Sequence, residues 1–188
     1  MEAIRPSRAG PARDLIITMS SLDHPAVAKV AAALAEAGQH DAAKGIRILP
    51  AEVRTAAQAA EALGVEVGAI ANSLVFRTTG TTDERPLLAL TSGAHRADTG
   101  ALAALTGSTR VEMADPAFVK AHTGQVIGGV APVGHPAALD TLVDVALRRY
   151  DVVWAAAGHA KSVFPTTFDD LLALTGGRAV DVTGQANR

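Results

Sequence analysis

Thr123-Gly124-Gln125-Val126-Ile127-Gly128-Gly129-Val130-Ala131-Pro132-Val133-Gly134-His135 sets adjacent glycines and a proline inside an otherwise apolar run. Glycine lacks Cβ and tolerates positive φ, so Gly128-Gly129 can turn backbone N–H groups toward a ligand at close approach, while Pro132 fixes φ on the exit side. Convergent N–H groups are what an ester carbonyl or its developing oxyanion requires. The same pattern also serves as a plain glycine-rich turn between two strands.

The elements on either side of this run decide its context. Upstream, Asp115-Pro116 is a helix start, with Asp at the N-cap and Pro at the first helical position, leading through Phe118, Val119 and His122 to Gly124. Further back, Arg110–Met113 reads as a strand and Thr99–Leu105 as a short helix stopped at Gly107. Ile70–Arg77 and Leu87–Thr91, separated by Thr, Gly and Asp, suit a β-hairpin with a longer loop. Thr55-Ala56-Ala57-Gln58 is a capping box that opens a helix through Leu63 to Gly64, preceded by a short strand over Ile46–Leu49. Val27, Val30, Leu34 and Ala37 recur at helical spacing behind Pro25, with Gly38 as the stop. Downstream, strands near Leu142–Leu147 and Val152–Ala156, a hairpin through Gly158–Phe164 and a helix over Thr167–Leu174 complete the chain. Strands in hairpins with interspersed helices point to the α+β class rather than to regular βαβ winding.

At 188 residues, 48% hydrophobic and 19% charged, the chain has the composition of one globular domain with a sizeable core. Residues 1–20, with Arg5, Pro6, Arg8, Pro11 and Arg13 but little apolar periodicity, read as a flexible tail; 21–184 form the single domain and 185–188 a C-terminal tail. No window approaches the run of about 20 apolar residues that a membrane helix requires, and no signal-peptide core is apparent, so the expected location is cytoplasmic. The absence of cysteine rules out disulfides, thiolate metal sites and a cysteine nucleophile. Six histidines without a ligand spacing give no reason to propose a metal, and no cofactor is implied. A net charge of −2 argues against a broad footprint on nucleic acid, DNA included.

Gly128-Gly129-Val130-Ala131-Pro132-Val133-Gly134-His135 resembles the Gly-Gly-x-x-Pro-x-Gly loop of the YbaK/prolyl-tRNA synthetase-associated editing domain family. Other segments resemble that family in the same order: Ile70–Phe76, Leu87–Leu90 with Thr91-Ser92-Gly93, Trp154–His159, and Phe164–Leu171. The resemblance runs from about Asp23 to Asp181. It implies a mixed, largely antiparallel sheet curled toward a barrel with surrounding helices. It also implies a trans-editing deacylase, which hydrolyses the ester joining a small, wrongly attached amino acid to the 3′ end of tRNA. A mischarged tRNA and an aminoacyl-tRNA synthetase are the implied partners.

Strand alternation places Ile70, Asn72, Leu74 and Phe76 on one face and Ala71, Ser73 and Val75 on the other. Asn72 among large apolar side chains is either a satisfied core amide or the polar point of a pocket. The resemblance places a lysine at this position. A neutral asparagine replaces a charge-assisted contact by ordinary hydrogen bonds, at a cost of about 1.5–3 kcal/mol if the contact acts in the transition state. Lys161, in the Gly158–Phe164 hairpin, either restores a positive charge or is an ordinary exposed lysine. No Gly-x-Ser-x-Gly elbow and no His-Glu-x-x-His occur, so neither a serine triad nor a zinc protease site is supported.

By resemblance, Asn72, Gly128 and Gly129 are the candidate catalytic residues, the glycines holding the carbonyl. Ser73, Pro132, His135 and Asp170 are the candidate substrate-binding residues. His135 is a proton shuttle or part of a His-Pro turn; Asp170 borders the pocket or serves an N-terminal capping arrangement with Thr167. Asp144, inside an apolar strand-like segment, faces the pocket or pairs with an arginine. The competing function is a binding module that keeps the pocket without hydrolysis, and the neutral Asn72 is what favours it.

Overall fold

The computed structural model describes residues 23–185; the expected N-terminal tail, and residues 186–188 of the C-terminal one, lie outside that range. The helices are α1 (Pro25–Glu36), α2 (His40–Lys44), α3 (Ala56–Leu63), α4 (Thr99–Thr106), α5 (Pro116–Thr123) and α6 (Phe168–Thr175). The strands are β1 (Arg47–Ile48), β2 (Ile70–Thr79), β3 (Glu84–Ser92), β4 (Arg110–Met113), β5 (Asp140–Asp144), β6 (Val153–Ala156), β7 (Ser162–Thr166) and β8 (Arg178–Val180). They form one eight-stranded sheet in the order β1-β7-β6-β2-β3-β5-β8, with β4 joined to β2. Most of the paired residues are antiparallel, the parallel ladders being β2 with β6, β3 with β5, and β5 with β8. The sheet is mixed and does not close: β1 and β8 stand at its two ends, so the expected curl stops short of a barrel.

The local signals operate as the side chains require. Thr55 and Gln58 complete both halves of the capping box on α3. The Asp115 carboxylate accepts the Phe118 N–H at 2.9 Å, with Pro116 at the first position of α5. Gly64, Gly107 and Gly124 end their helices in the left-handed conformation.

One expected element is corrected. The strand placed over Leu142–Leu147 ends at Asp144, and Val145–Arg149 is a 3-10 helix. The cause is Asp144 itself, whose Oδ1 accepts the Ala146 N–H at 3.0 Å and turns the chain out of the sheet.

Both faces of the sheet are covered. On one, Ala71, Val75, Leu88, Leu90, Val143, Ala155 and Phe164 pack against Val30 and Leu34 of α1, Val119 of α5 and Leu171 of α6. The other face carries two separate clusters. Phe76, Leu87, Ala89 and Leu142 pack on Leu102 of α4, whereas Ile70, Trp154 and Leu49 pack on Ala59 and Ala60 of α3. Asn72 sits on β2 between these two clusters, at a seam in the apolar cover.

Candidate active site

A break in strand pairing makes the site. On the flank of β2 opposite β3, the ladder with β6 ends at Ala71 opposite Ala155, and the ladder with β4 begins at Phe76 opposite Met113. Successive residues of a strand turn their N–H and C=O groups to alternate sides. Gly93 donates to the Ile70 carbonyl on the β3 side, and Ala114 donates to the Val75 carbonyl on the β4 side. Ser73 has the parity of Val75, so its backbone N–H and C=O face the gap. They meet no partner there among the described residues.

A cleft of about 590 Å³ opens at this gap. Its volume suits a small ligand or the end of a larger one. Asn72, Ser73 and Leu74 form one wall; Ile127, Gly128 and Val130 another; Trp154, Ala156, Ala160 and Lys161 a third; Arg54, Thr55 and Ala56 line the α3 side. Asn72 is therefore the polar point of a pocket: it is half-buried, and its amide makes no hydrogen bond among the described residues. The Ser73 Oγ is buried and likewise lacks a partner. Among the described residues, neither a histidine nor a carboxylate lines the cleft.

The Gly-rich run approaches this cleft as a loop between α5 and β5. Gly128 lines the cavity at φ 91°, a conformation that favours glycine, and its N–H has no acceptor among the described residues. Gly129 is placed differently. Its N–H donates to the Val126 carbonyl at 3.1 Å, closing a turn, and it does not line the cavity. A Cβ there would lie 2.5 Å from the His159 carbonyl carbon and 2.6 Å from the Ala160 nitrogen. Gly129 thus lets the loop seat directly on the β6–β7 connection.

That connection is itself held tightly. Ser162 Oγ accepts the His159 N–H at 3.1 Å and donates to the His159 carbonyl at 2.6 Å. Lys161 has φ 68°, the one positive value among the described non-glycine residues. Its ammonium donates to the Ala51 carbonyl and, at 2.6 Å, to the Val53 carbonyl.

Sequence reasoning missed Gln125, which shapes the loop from inside. It is buried; its Oε1 accepts the Ala131 N–H at 2.7 Å and its Nε2 donates to the Val133 carbonyl at 3.1 Å. The signal was present: an amide in an apolar run between glycines must find partners if buried.

Three expected residues stand away from the cavity wall. Pro132 is buried inside the loop. His135 Nε2 lies 2.7 Å from the Ala131 carbonyl, which makes it a donor there and a brace for the loop's exit. Asp170 lies exposed in the first turn of α6, where the Thr167 side chain accepts its N–H at 3.1 Å, the capping arrangement weighed above.

Burial lowers the His135 pKa below the ordinary histidine value, against the opposing effect of its bond to Ala131. A base with a depressed folded pKa stabilises the fold fully above its unfolded pKa, about 6.5, and that stability is lost as pH falls through the folded value. Unfolding midpoints in urea are accordingly expected to fall from pH 7 to pH 5, with His135→Gln flattening the decline. An unchanged slope in that variant would remove His135 from the account.

The chain resembles known proteins in sequence and fold. Residues 50–174 match the family model described as the aminoacyl-tRNA editing domain. The chain belongs to the aminoacyl-tRNA editing domain family. Among similar proteins, the uncharacterized protein YwhH of Bacillus subtilis (strain 168) is 33% identical over 117 residues, 62% of this chain and 72% of that one. EbsC of Enterococcus faecalis (strain ATCC 700802 / V583), provisionally named a Cys-tRNA(Pro)/Cys-tRNA(Cys) deacylase, is 30% identical over 129 residues, 69% of this chain and 77% of that one. A crystal structure provisionally described as a trans-editing enzyme for prolyl tRNA synthetase superposes with TM-score 0.75 at 40% identity, over 85% of this chain and 97% of that one. The match takes in β2, the Gly-rich loop and the β6–β7 connection, the elements that build the cleft of this editing domain.

Proposed function

We propose that this editing domain is a deacylase acting in trans, hydrolysing the ester between a small, wrongly attached amino acid and the 3′ end of tRNA. The observation that carries the reading is that Ser73 with its unpaired edge, Asn72, and Gly128, whose N–H has no acceptor among the described residues, line one cleft. These are groups that orient an ester and stabilise charge on its carbonyl oxygen. Gly128 and the Ser73 N–H are the donors for the oxyanion; Asn72 orients the ester or the attacking water. Gly129 acts by allowing the close seating of the loop. In the hydrolysis, water oxygen bonds to the carbonyl carbon, the bond to the ribose oxygen breaks, and that oxygen leaves with a proton. With no imidazole or carboxylate from the described residues in the cleft wall, proton movement falls to the water and to the substrate's own amino and hydroxyl groups.

A second reading, a module that binds an aminoacyl-tRNA without cleaving it, is favoured by that same lack of a protein base and by the neutral Asn72. The two separate in one experiment. Purified protein is incubated with tRNAs mischarged with alanine, serine, threonine or cysteine, beside correctly charged controls, and released amino acid is followed. Selective release is expected, with Asn72→Lys raising the rate at least about tenfold through a charge-assisted contact. No release from any of the four, by the original chain or the variant, would leave the binding module.

A further inference from the structure

The chain carries a net charge of −2, yet among the described residues the charged side chains lining its cleft are two cations, Arg54 and Lys161, with no carboxylate beside them. Neither side chain forms an ion pair with an acidic group among the described residues. Lys161 is half-buried, and among the described residues its ammonium meets the Ala51 and Val53 carbonyls, which occupy two of its three donors. With no acidic partner among the described residues, its charge and its third donor are open to an anion that enters the cleft. The placement is specific: Lys161 occupies a left-handed backbone position, on a connection braced by Ser162 and seated against Gly129. Arg54 immediately precedes Thr55, the N-cap of α3, and both residues line the cleft.

We propose that Arg54 and Lys161 form an anion subsite at the mouth of the cleft, holding the phosphodiester that joins the terminal nucleoside of the acceptor strand to the nucleotide before it. This rests on the deacylase reading for the identity of the ligand. The subsite anchors the strand end, so that the ester reaches Asn72 and Gly128 in a fixed pose.

Binding tests this without requiring turnover. Trp154 lines the cleft and is the chain's single tryptophan, so its fluorescence reports occupancy. The trinucleotide CCA, which has two phosphodiesters, is titrated in parallel with adenosine, which has none. CCA is expected to bind more tightly than adenosine and to weaken as salt is raised. Lys161→Gln and Arg54→Gln are each expected to weaken CCA binding about tenfold and to leave adenosine binding unchanged, with Lys161→Arg close to the original chain. Arg54 is exposed, so its variant reports on charge even if Lys161→Gln disturbs the β6–β7 connection. Equal binding of CCA and adenosine, or CCA binding indifferent to both glutamine variants, overturns the subsite. Charge-dependent CCA binding in a chain that releases no amino acid supports the subsite and overturns the deacylase reading alone.

Discussion

Gly129→Ala is expected to lower deacylation about 100-fold while the chain still folds. The added methyl group would stand 2.5 Å from backbone carbon and 2.6 Å from backbone nitrogen of the β6–β7 connection, too close for any rotation to relieve. One of the two loops must back away. Overpacking of this kind costs about 1–3 kcal/mol of stability, which a domain of ordinary stability survives. Catalysis is less tolerant. The displaced loop carries Gly128 in the cleft wall, and a misplacement of about 1 Å can cost on the order of 100-fold in rate. Single-turnover deacylation alongside a thermal melt checks both halves. A variant that melts lower yet deacylates at the original rate would show that the seating of the loop does not control the chemistry.

The second large effect concerns stability alone. Asp144 is 1% exposed, and three donors converge on its carboxylate: the Ser92 N–H at 3.1 Å, His95 Nδ1 at 3.0 Å and the Ala146 N–H at 3.0 Å. Asp144→Ala leaves the buried Ser92 N–H and the half-buried Ala146 N–H without this acceptor, at an expected loss of about 3 kcal/mol in urea denaturation. Asp144→Asn, which keeps a carbonyl acceptor of the same shape, is expected to lose less. Because Asp144 does not line the cleft, the alanine variant should retain its rate at temperatures where it stays folded. A stability loss below about 1 kcal/mol would mean that water replaces the carboxylate with little penalty.

Much of the fold was legible because its signals are local. Asp115-Pro116, Thr55 with Gln58, and the glycines closing three helices act within a few residues of themselves, and each behaves as its side-chain chemistry dictates. The alternation along β2 was equally readable and put Asn72 on its correct face. What the sequence did not disclose depends on partners distant in the chain. The short strand β8 and its parallel ladder to β5 carry little pattern over three residues. The turn after Asp144 was hidden because the apolar run continues through Leu147, and only the carboxylate's bond to Ala146 ends the strand.

The candidate site divides along the same line. Asn72, Ser73 and Gly128 converge on the cleft, since strand parity and glycine conformation are local properties. The close-packed seating of Gly129, the internal bracing by Gln125 and the approach of Lys161 arise from contacts between loops that no spacing reveals. Lys161 reaches the 50–54 segment across more than a hundred residues of chain.

The interrupted pairing of β2 has a consequence for how such a domain can diversify. The window between the two ladders spans Asn72 to Val75, about 13 Å of strand. Its two jambs are strand ends, Met113 of β4, 54% exposed, and Ala156 of β6. Lengthening either strand by one residue narrows the window, and shortening one widens it. Met113 and Ala156 both lie outside the three apolar clusters, so trimming either strand end leaves the core intact, whereas lengthening would draw in Ala114 or Ala157 of the main cluster. Substrate range in this architecture can therefore drift by trimming strand termini, a kind of variation that selection can explore without risking the fold.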